Sequence, residues 1–330
     1  MRPFEYQRAQ DADGAVAAVV ARPGAAYLAG GTNLVDHMKL GIATPGLLVD
    51  VSRMLPATID ELPGGGLLIG AGARNADVAA DMRVRLRYPA LAQALLSGAS
   101  GQLRNLATTG GNLLQRTRCS YFQDPSMPCN KREPDSGCSA LEGHTRQHAI
   151  LGASEHCVAT NPSDMAVPML AFDAVVHVHG PNGVREVAIA DLHRLPGDAP
   201  QRDTTLEHGE LITHVELAPL PIAARSAYRK VRERASYAFA LVSVAVALDP
   251  ADDGTAADVR IAFGGLAHKP WRATRAEDAL RGRPLTEAAF RAAAHAELSA
   301  ARPLPDNAYK IPMATGALVA TLRALTVREA

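Results

Sequence analysis

The chain has 330 residues, 47% hydrophobic and 21% charged, with 34 Lys plus Arg balanced by 34 Asp plus Glu. That length supports two or three domains with proper cores, and zero net charge excludes a nucleic-acid binder driven by bulk charge. The start, Met1 to Gln7, has no apolar secretory stretch, and the longest mostly apolar run (240–248) is too short to span a bilayer. The chain therefore reads as soluble, travelling with another subunit if it is exported.

Residues 1–55 read as a small α/β unit. The Ala/Val-rich run 11–20 predicts a helix with Asp11 or Asp13 near its N-cap. A short strand over 26–29 breaks at Gly30-Gly31-Thr32-Asn33, a helical segment follows over 34–40, and 47–51 is a buried strand. Strand, glycine turn and helix in that order can present backbone N–H groups to a pyrophosphate. After the turn cluster 63–66, a second unit begins with a strand over 67–73. A helix starts at Asn75 and includes Val78 and Met82, and another runs from Tyr88-Pro89 to Ser97. Arg104 and Asn105 introduce a second glycine turn, Thr108-Thr109-Gly110-Gly111-Asn112.

From 116 to 155 there is no apolar periodicity; an irregular loop of that length needs something to hold it. Cys119, Cys129, Cys138 and Cys157 all lie in this region. Order returns with a helix start over 165–170, an alternating strand over 174–179 closed by the turn 180–183, and a strand over 210–217. The prolines in 219–223 mark a linker. Beyond it, strands over 226–231, 238–248 and 259–263 and Ala-rich helices over 273–280, 286–299 and 314–324 predict an α+β domain. The expected division is 1–55, 56–218 with the loop 116–157, and 224–330.

The glycine turns fit neither G-x-G-x-x-G nor a Walker A loop. Taken singly, either is more often only a turn. As a pair facing one cleft, they can grip a dinucleotide pyrophosphate from both sides. The thiols are separated by nine, eight and eighteen residues, without the tight C-x₂₋₄-C pairs usual for zinc. Two disulfides, or four thiolates completing a [4Fe–4S] cluster, remain open from the residues alone.

The stretches Tyr27-Leu28-Ala29-Gly30-Gly31-Thr32-Asn33-Leu34-Val35, 104–113, Ser163-Asp164 and 228–232 resemble, in order, signatures of a known family. It is the FAD-binding subunit of the xanthine dehydrogenase (molybdenum hydroxylase) family. Phe263-Gly264-Gly265-Leu266-Ala267 with Lys269-Pro270 fits its C-terminal domain, so the resemblance covers essentially the whole chain. It implies an α+β chain: a PCMH-type FAD-binding fold of two α/β subdomains, then a C-terminal domain with an antiparallel sheet and helices. By the same resemblance the first turn and Thr108 to Asn112 bind the FAD pyrophosphate and ribityl chain. Asp164 bonds the flavin end or ribityl hydroxyls, Ile212 packs on the cofactor, and Lys230 lies near the isoalloxazine. From the residues alone, Asp164 serves equally as an N-cap for the helix at Met165, and Lys230 as a solvated strand lysine.

The resemblance also bears on the loop. An insertion at this place carries a [4Fe–4S] cluster in flavin subunits of 4-hydroxybenzoyl-CoA reductase and of the bacterial periplasmic aldehyde oxidoreductase. The context Arg118-Cys119-Ser120-Tyr121-Phe122 and Cys129-Asn130-Lys131-Arg132 looks like the aldehyde type. That makes all four cysteines ligands, with Arg116, Arg118, Lys131, Arg132 and Arg146 offsetting the cluster's charge and His144, His148 and His156 at its surface or in support. The implied protein is an electron-transfer subunit with no hydroxylation chemistry of its own. A large partner holds the molybdopterin cofactor, a small one holds two [2Fe–2S] clusters, and an external acceptor takes the electrons. The implied compartment is the periplasm by co-export, with the cytoplasm as alternative. Other readings are a related hydroxylase or hydroxybenzoyl-CoA reductase subunit, and a non-redox module with a zinc- or disulfide-stapled loop. A stand-alone oxidase of the vanillyl-alcohol type finds no His or Cys in the glycine turns for a covalent flavin link.

Overall fold

The computed structural model describes residues 1–326; the end of the third predicted domain, 327–330, lies outside the described residues. Strands β1 (Glu5–Arg8), β2 (Ala25–Leu28) and β3 (Leu47–Asp50) form a parallel sheet in the order β1-β3-β2. Parallel neighbours need crossovers, supplied by the helices Ala12–Val20 and Leu34–Leu40. Asp11 starts the first by accepting from Gly14 N at 2.7 Å, and Gly41, at φ 76°, ends the second. Central β3 is buried at every position, which is why it reads as a continuous apolar run. Edge strand β1 is exposed at every position and carries no apolar alternation that could announce it.

The second unit is an antiparallel sheet of β4 (Ile59–Glu61), β5 (Leu67–Gly70), β6 (Val175–Gly180), β7 (Gly183–Ala188) and β8 (Leu211–Leu217). Its order is β4-β5-β8-β6-β7, so this unit has α+β rather than α/β character. The helix expected from Asn75 through Met82 is two helices, Asn75–Ala80 and Met82–Arg87. Asp81 leaves the helical conformation (ψ 125°) and caps the second helix by accepting from Arg83 N and Val84 N at 2.8 and 3.3 Å. The second glycine turn is itself helical, over Thr109–Leu113, with Thr108 as N-cap.

Past the 3₁₀ turn Pro221–Ala224 comes an antiparallel sheet of β9 (Ser226–Val231), β10 (Val242–Pro250), β11 (Ala256–Gly264) and β12 (Trp271–Arg272), in the order β12-β11-β10-β9. The helices Thr274–Leu280, Glu287–Leu298 and Lys310–Thr326 accompany it. Side chains alternate across a strand, and β10 uses both faces. Val242, Val244, Val246 and Leu248 join the core shared with the C-terminal helices, while Ala245 and Ala247 join the core of the first two units. The third domain is therefore welded to the other two along β10.

The insertion is irregular apart from the short helix Ser120–Gln123. Its far end is clamped to the C-terminal domain. Thr145 N donates to Asp306 Oδ2 (3.1 Å), and Asn307 Nδ2 to the carbonyls of His148 and Ala149 (3.2 and 3.3 Å). Fully buried Lys310 donates to the carbonyls of Gln147, His148 and Gly265 (3.1, 2.9 and 2.8 Å), and burial pushes its ammonium down to about 7.

Candidate cofactor sites

Both glycine turns open into one cleft of about 360 Å³ between the first two units. Tyr27, Ala29, Gly30, Gly31, Thr32, Asn33, Leu34, Thr108, Gly110, Gly111 and Ile212 line it. The turns touch: a Cβ on Gly30 would sit 2.2 Å from the Leu106 carbonyl oxygen, so only glycine permits this approach. Gly31 is at φ 72°, the left-handed region. Among the described residues the amides of Gly31, Thr32 and Asn33 have no intramolecular partner, so the first turn can receive an anion. The second turn differs, because its amides are already used. Thr109 N and Gly110 N donate to the carbonyls of Ala73 and Ala71 (2.9 Å each), and Gly111 N to Thr108 Oγ1 (3.2 Å). It gives the cleft close packing rather than free donors.

Leu28 and Val35 stand behind the first turn, against Gly31. Thr109 and Asn112 also stay out of the cleft lining. The buried Thr109 hydroxyl donates to the Ala73 carbonyl (3.1 Å), and Asn112 Oδ1 accepts from Ser163 Oγ (2.7 Å). Several cleft residues escape the motif reading, among them His37, Leu114, Glu210 and Leu211. His37 is one helical turn beyond Asn33 on the same face, a signal available from i, i+4 spacing. Burial, then the charges of Arg118 and Arg116, pushes its imidazole down to about 4.

Asp164 belongs to a second pocket of about 280 Å³, and Lys230 reaches it only through Asp164. Asp164 lines it, with Oδ2 accepting from Lys230 Nζ (2.7 Å) and Oδ1 from the Tyr228 hydroxyl (2.5 Å). The Lys230 side chain is only 3% exposed, which corrects the solvated-lysine alternative. Asp164 is not the N-cap of the following helix; the Ser163 hydroxyl accepts from Ala166 N at 3.0 Å instead. Arg118, Cys119, His148 and Phe239 share the pocket, so it lies between the ion pair and the cysteine loop.

All four thiols are free. Cys129 and Cys138 face each other as an antiparallel bridge, and Cys157 pairs with Ser154 in a second. Cys119 Sγ lies 3.2 Å from His148 Nε2. Burial pushes the Cys119 thiol up to about 11 and the Cys157 thiol up to about 12, and the neighbouring cysteines add to each rise. Among the described residues, no three His, Cys, Asp or Glu side chains are gathered closely enough to hold one metal ion.

The loop's cations are mostly committed elsewhere. Arg116 Nε and Lys131 Nζ both bond Asp203 (2.6 and 2.5 Å), Arg146 pairs with Glu233 (2.8 Å), and Arg132 caps the carbonyls of Tyr121 and Phe122 (2.9 and 2.8 Å). Only Arg118 keeps a buried, unpartnered Nε, with Asp36 3.6 Å from its Nη1 and its guanidinium over Phe239. The positive field on the thiols is thus weaker than five side chains suggest. Burial would raise the Asp203 carboxyl, but Lys131 and Arg116 outweigh it and bring it to about 2. His268, bonded through Nδ1 to the Arg194 carbonyl (2.9 Å), is pushed down to about 4 by burial and Lys131.

Residues 2–220 match the family model described as the FAD binding domain in molybdopterin dehydrogenase, and 226–325 the CO dehydrogenase flavoprotein C-terminal domain. The aldehyde oxidoreductase FAD-binding subunit PaoB of Escherichia coli (strain K12) is 49% identical over 98% of both chains. The putative xanthine dehydrogenase FAD-binding subunit XdhB of the same organism is 27% identical, covering 85% of this chain and 80% of that one. A solved structure of carbon monoxide dehydrogenase from Hydrogenophaga pseudoflava, lacking the Mo-pyranopterin moiety, superposes with a TM-score of 0.75 at 28% identity over 98% of both chains. The gap between the two matched domains coincides with the 3₁₀ turn at Pro221–Ala224. From the first glycine turn to the C-terminal sheet, the chain belongs to the molybdenum hydroxylase family as one of its FAD-binding subunits.

Proposed function

We propose that this chain is the FAD- and [4Fe–4S]-containing electron-transfer subunit of a heterotrimeric, molybdenum-dependent aldehyde oxidoreductase. Its partners are a large molybdopterin subunit and a small subunit with two [2Fe–2S] clusters, and it delivers electrons to an external acceptor. The observation that carries the reading is the juxtaposition of two features. A dinucleotide cleft with free backbone donors and a pocket lined by Asp164, itself paired with buried Lys230, stand beside a loop holding four free thiols. The 49% identity to PaoB supports the aldehyde reaction class.

FAD, when bound, supplies the step between one-electron and two-electron carriers, and the protein's part is to hold and orient it. In this reading the amides of the first turn hold the pyrophosphate, Thr108, Gly110 and Gly111 shape the wall beside it with Asn112 bonded behind them, and Ile212 packs on the cofactor. Asp164 and Lys230 serve the flavin end. Cys119, Cys129, Cys138 and Cys157 hold the cluster. The four thiols lack the tight C-x₂₋₄-C pairs usual for zinc, which supports a multi-iron centre over a single zinc ion. We place the complex in the periplasm by co-export; fractionation of the native host, with the chain in the cytosolic fraction, would overturn that.

The deciding measurement is cofactor content of the anaerobically purified complex, set against a Cys129→Ser variant. One FAD and four additional irons assignable to this chain, with those irons lost and FAD kept in the variant, is the expected result. Zinc in place of iron, or unchanged iron in the variant, would remove the cluster from the proposal and leave a flavin subunit with a structural loop.

A further inference from the structure

Asp203 lies in neither the dinucleotide cleft nor the thiol loop, yet it is bonded to both. Its Oδ2 accepts from Arg116 Nε (2.6 Å), a residue on the cleft wall. Its Oδ1 accepts from Lys131 Nζ (2.5 Å), two residues after Cys129. The Lys131 side chain is 1% exposed and donates once more, to the Pro200 carbonyl (2.8 Å). A surface ion pair in such a place would contribute little, but here the lysine is removed from water while the carboxylate keeps 27% of its side chain exposed, so taking away the carboxylate strands a buried ammonium.

The cleft side is tied in twice more. Arg116 N donates to Asn33 Oδ1 (3.1 Å), at the start of the helix that follows the first glycine turn. The Arg116 guanidinium lies over the ring of Phe122 (4.8 Å), a loop residue whose ring meets His37 edge-on (5.6 Å). Both Arg116 and His37 line the cleft. A displaced loop therefore withdraws Lys131 from Asp203 and Phe122 from Arg116 together, so Arg116 loses its stacking partner while the carboxylate it is bonded to loses its second cation.

From this geometry we infer that Asp203 is a positioning residue that couples FAD binding in the cleft to ordering of the cysteine loop. Each ligand strengthens binding of the other although neither touches Asp203. The inference rests on the proposed reading of the loop as a cluster site only for the identity of the loop's ligand. Coupling between two sites is reciprocal and is typically worth roughly five- to 150-fold in affinity.

The test is the FAD dissociation constant of the purified complex with the loop iron present and after its removal by chelation. In the wild type, iron removal should weaken FAD by roughly tenfold, and FAD removal should speed loop-iron loss. In Asp203→Asn both forms should bind FAD weakly and the ratio should fall to about one, with Asp203→Glu restoring part of it. A purely structural role would lower stability and leave that ratio unchanged, so an unchanged ratio in the variant overturns the inference. A wild-type ratio of one overturns it without any variant, which keeps the test decisive if Asp203→Asn fails to assemble. Should the wild-type loop bind no iron, it is the cluster reading that fails. Coupling is then read from protease cleavage of 117–157 with and without FAD, and equal cleavage rates overturn it.

Discussion

Asp164 carries one negative charge and receives two donors, the Lys230 ammonium and the Tyr228 hydroxyl, in a setting nearly closed to water. Breaking a buried pair from one side is expensive, so Lys230→Met should cost about 3–5 kcal/mol in urea unfolding, against about 1–2 for Tyr228→Phe. A surface-like loss below about 1 kcal/mol for Lys230→Met would contradict the burial described here. Acid should act through other groups, among them two histidines and a carboxylate. His37 and His268 are held near 4 from an ordinary 6.5, so only the unfolded chain takes up their protons between those values. Stability should fall as pH drops through that window, since it rises with pH wherever the unfolded state binds more protons. Asp203, held near 2 from 3.8, adds stability that is present above 3.8 and lost as pH falls towards 2. Urea midpoints measured from pH 7 down to about 2 check both parts, and His37→Gln should flatten the upper one. Asp164, Lys230 and the spacing of His37 were legible in the sequence, but the Asp203 contacts were not. Asp203 has no motif around it, and its partners lie 87 and 72 residues away.

At the scale of elements, local patterning carried the reading where one face is buried and failed where none is. β9 is read to the residue, and the helices Ala12–Val20 and Pro89–Ser97 nearly so, because their apolar spacing and caps agree. β1, β4 and β7 are mostly exposed edge strands, whose pairing depends on distant neighbours. The glycine turns were legible as a pair, but not their division of labour: one offers free amides and the other has spent them on Ala71 and Ala73. Gly30→Ala tests that fit. Its Cβ has backbone within 2.2 Å, so the turns must separate, with a cost of about 1–3 kcal/mol and loss of bound FAD at purification. Gly101→Ala, with open space around its Cβ, should keep full flavin content.

At the scale of the whole molecule, β10 has an apolar side on each of two cores, and Asn307 and Lys310 clamp the insertion from the C-terminal domain. Truncation after residue 224 should therefore leave more than a missing domain. Ala223, Val167 and Leu170 belong to the core left behind, which loses Tyr228, Ala245, Ala247 and Ala262. We expect a fragment that binds hydrophobic dye and is cut rapidly by protease within 116–157; a dye-negative, resistant fragment would show the domains to be independent.

The hydrogen bond between Asn112 and Ser163 joins residues 51 apart at the two ends of the insertion. Because the ends meet, the β-scaffold can close without waiting for the residues between them, and lengthening such a loop adds little to the entropy of closure. Refolding should then be sequential. Sheet signals should return first and at a rate indifferent to metal, and the thiol loop should settle last, at a rate set by its ligand. A chain built this way acquires its dinucleotide scaffold early and its thiol loop late.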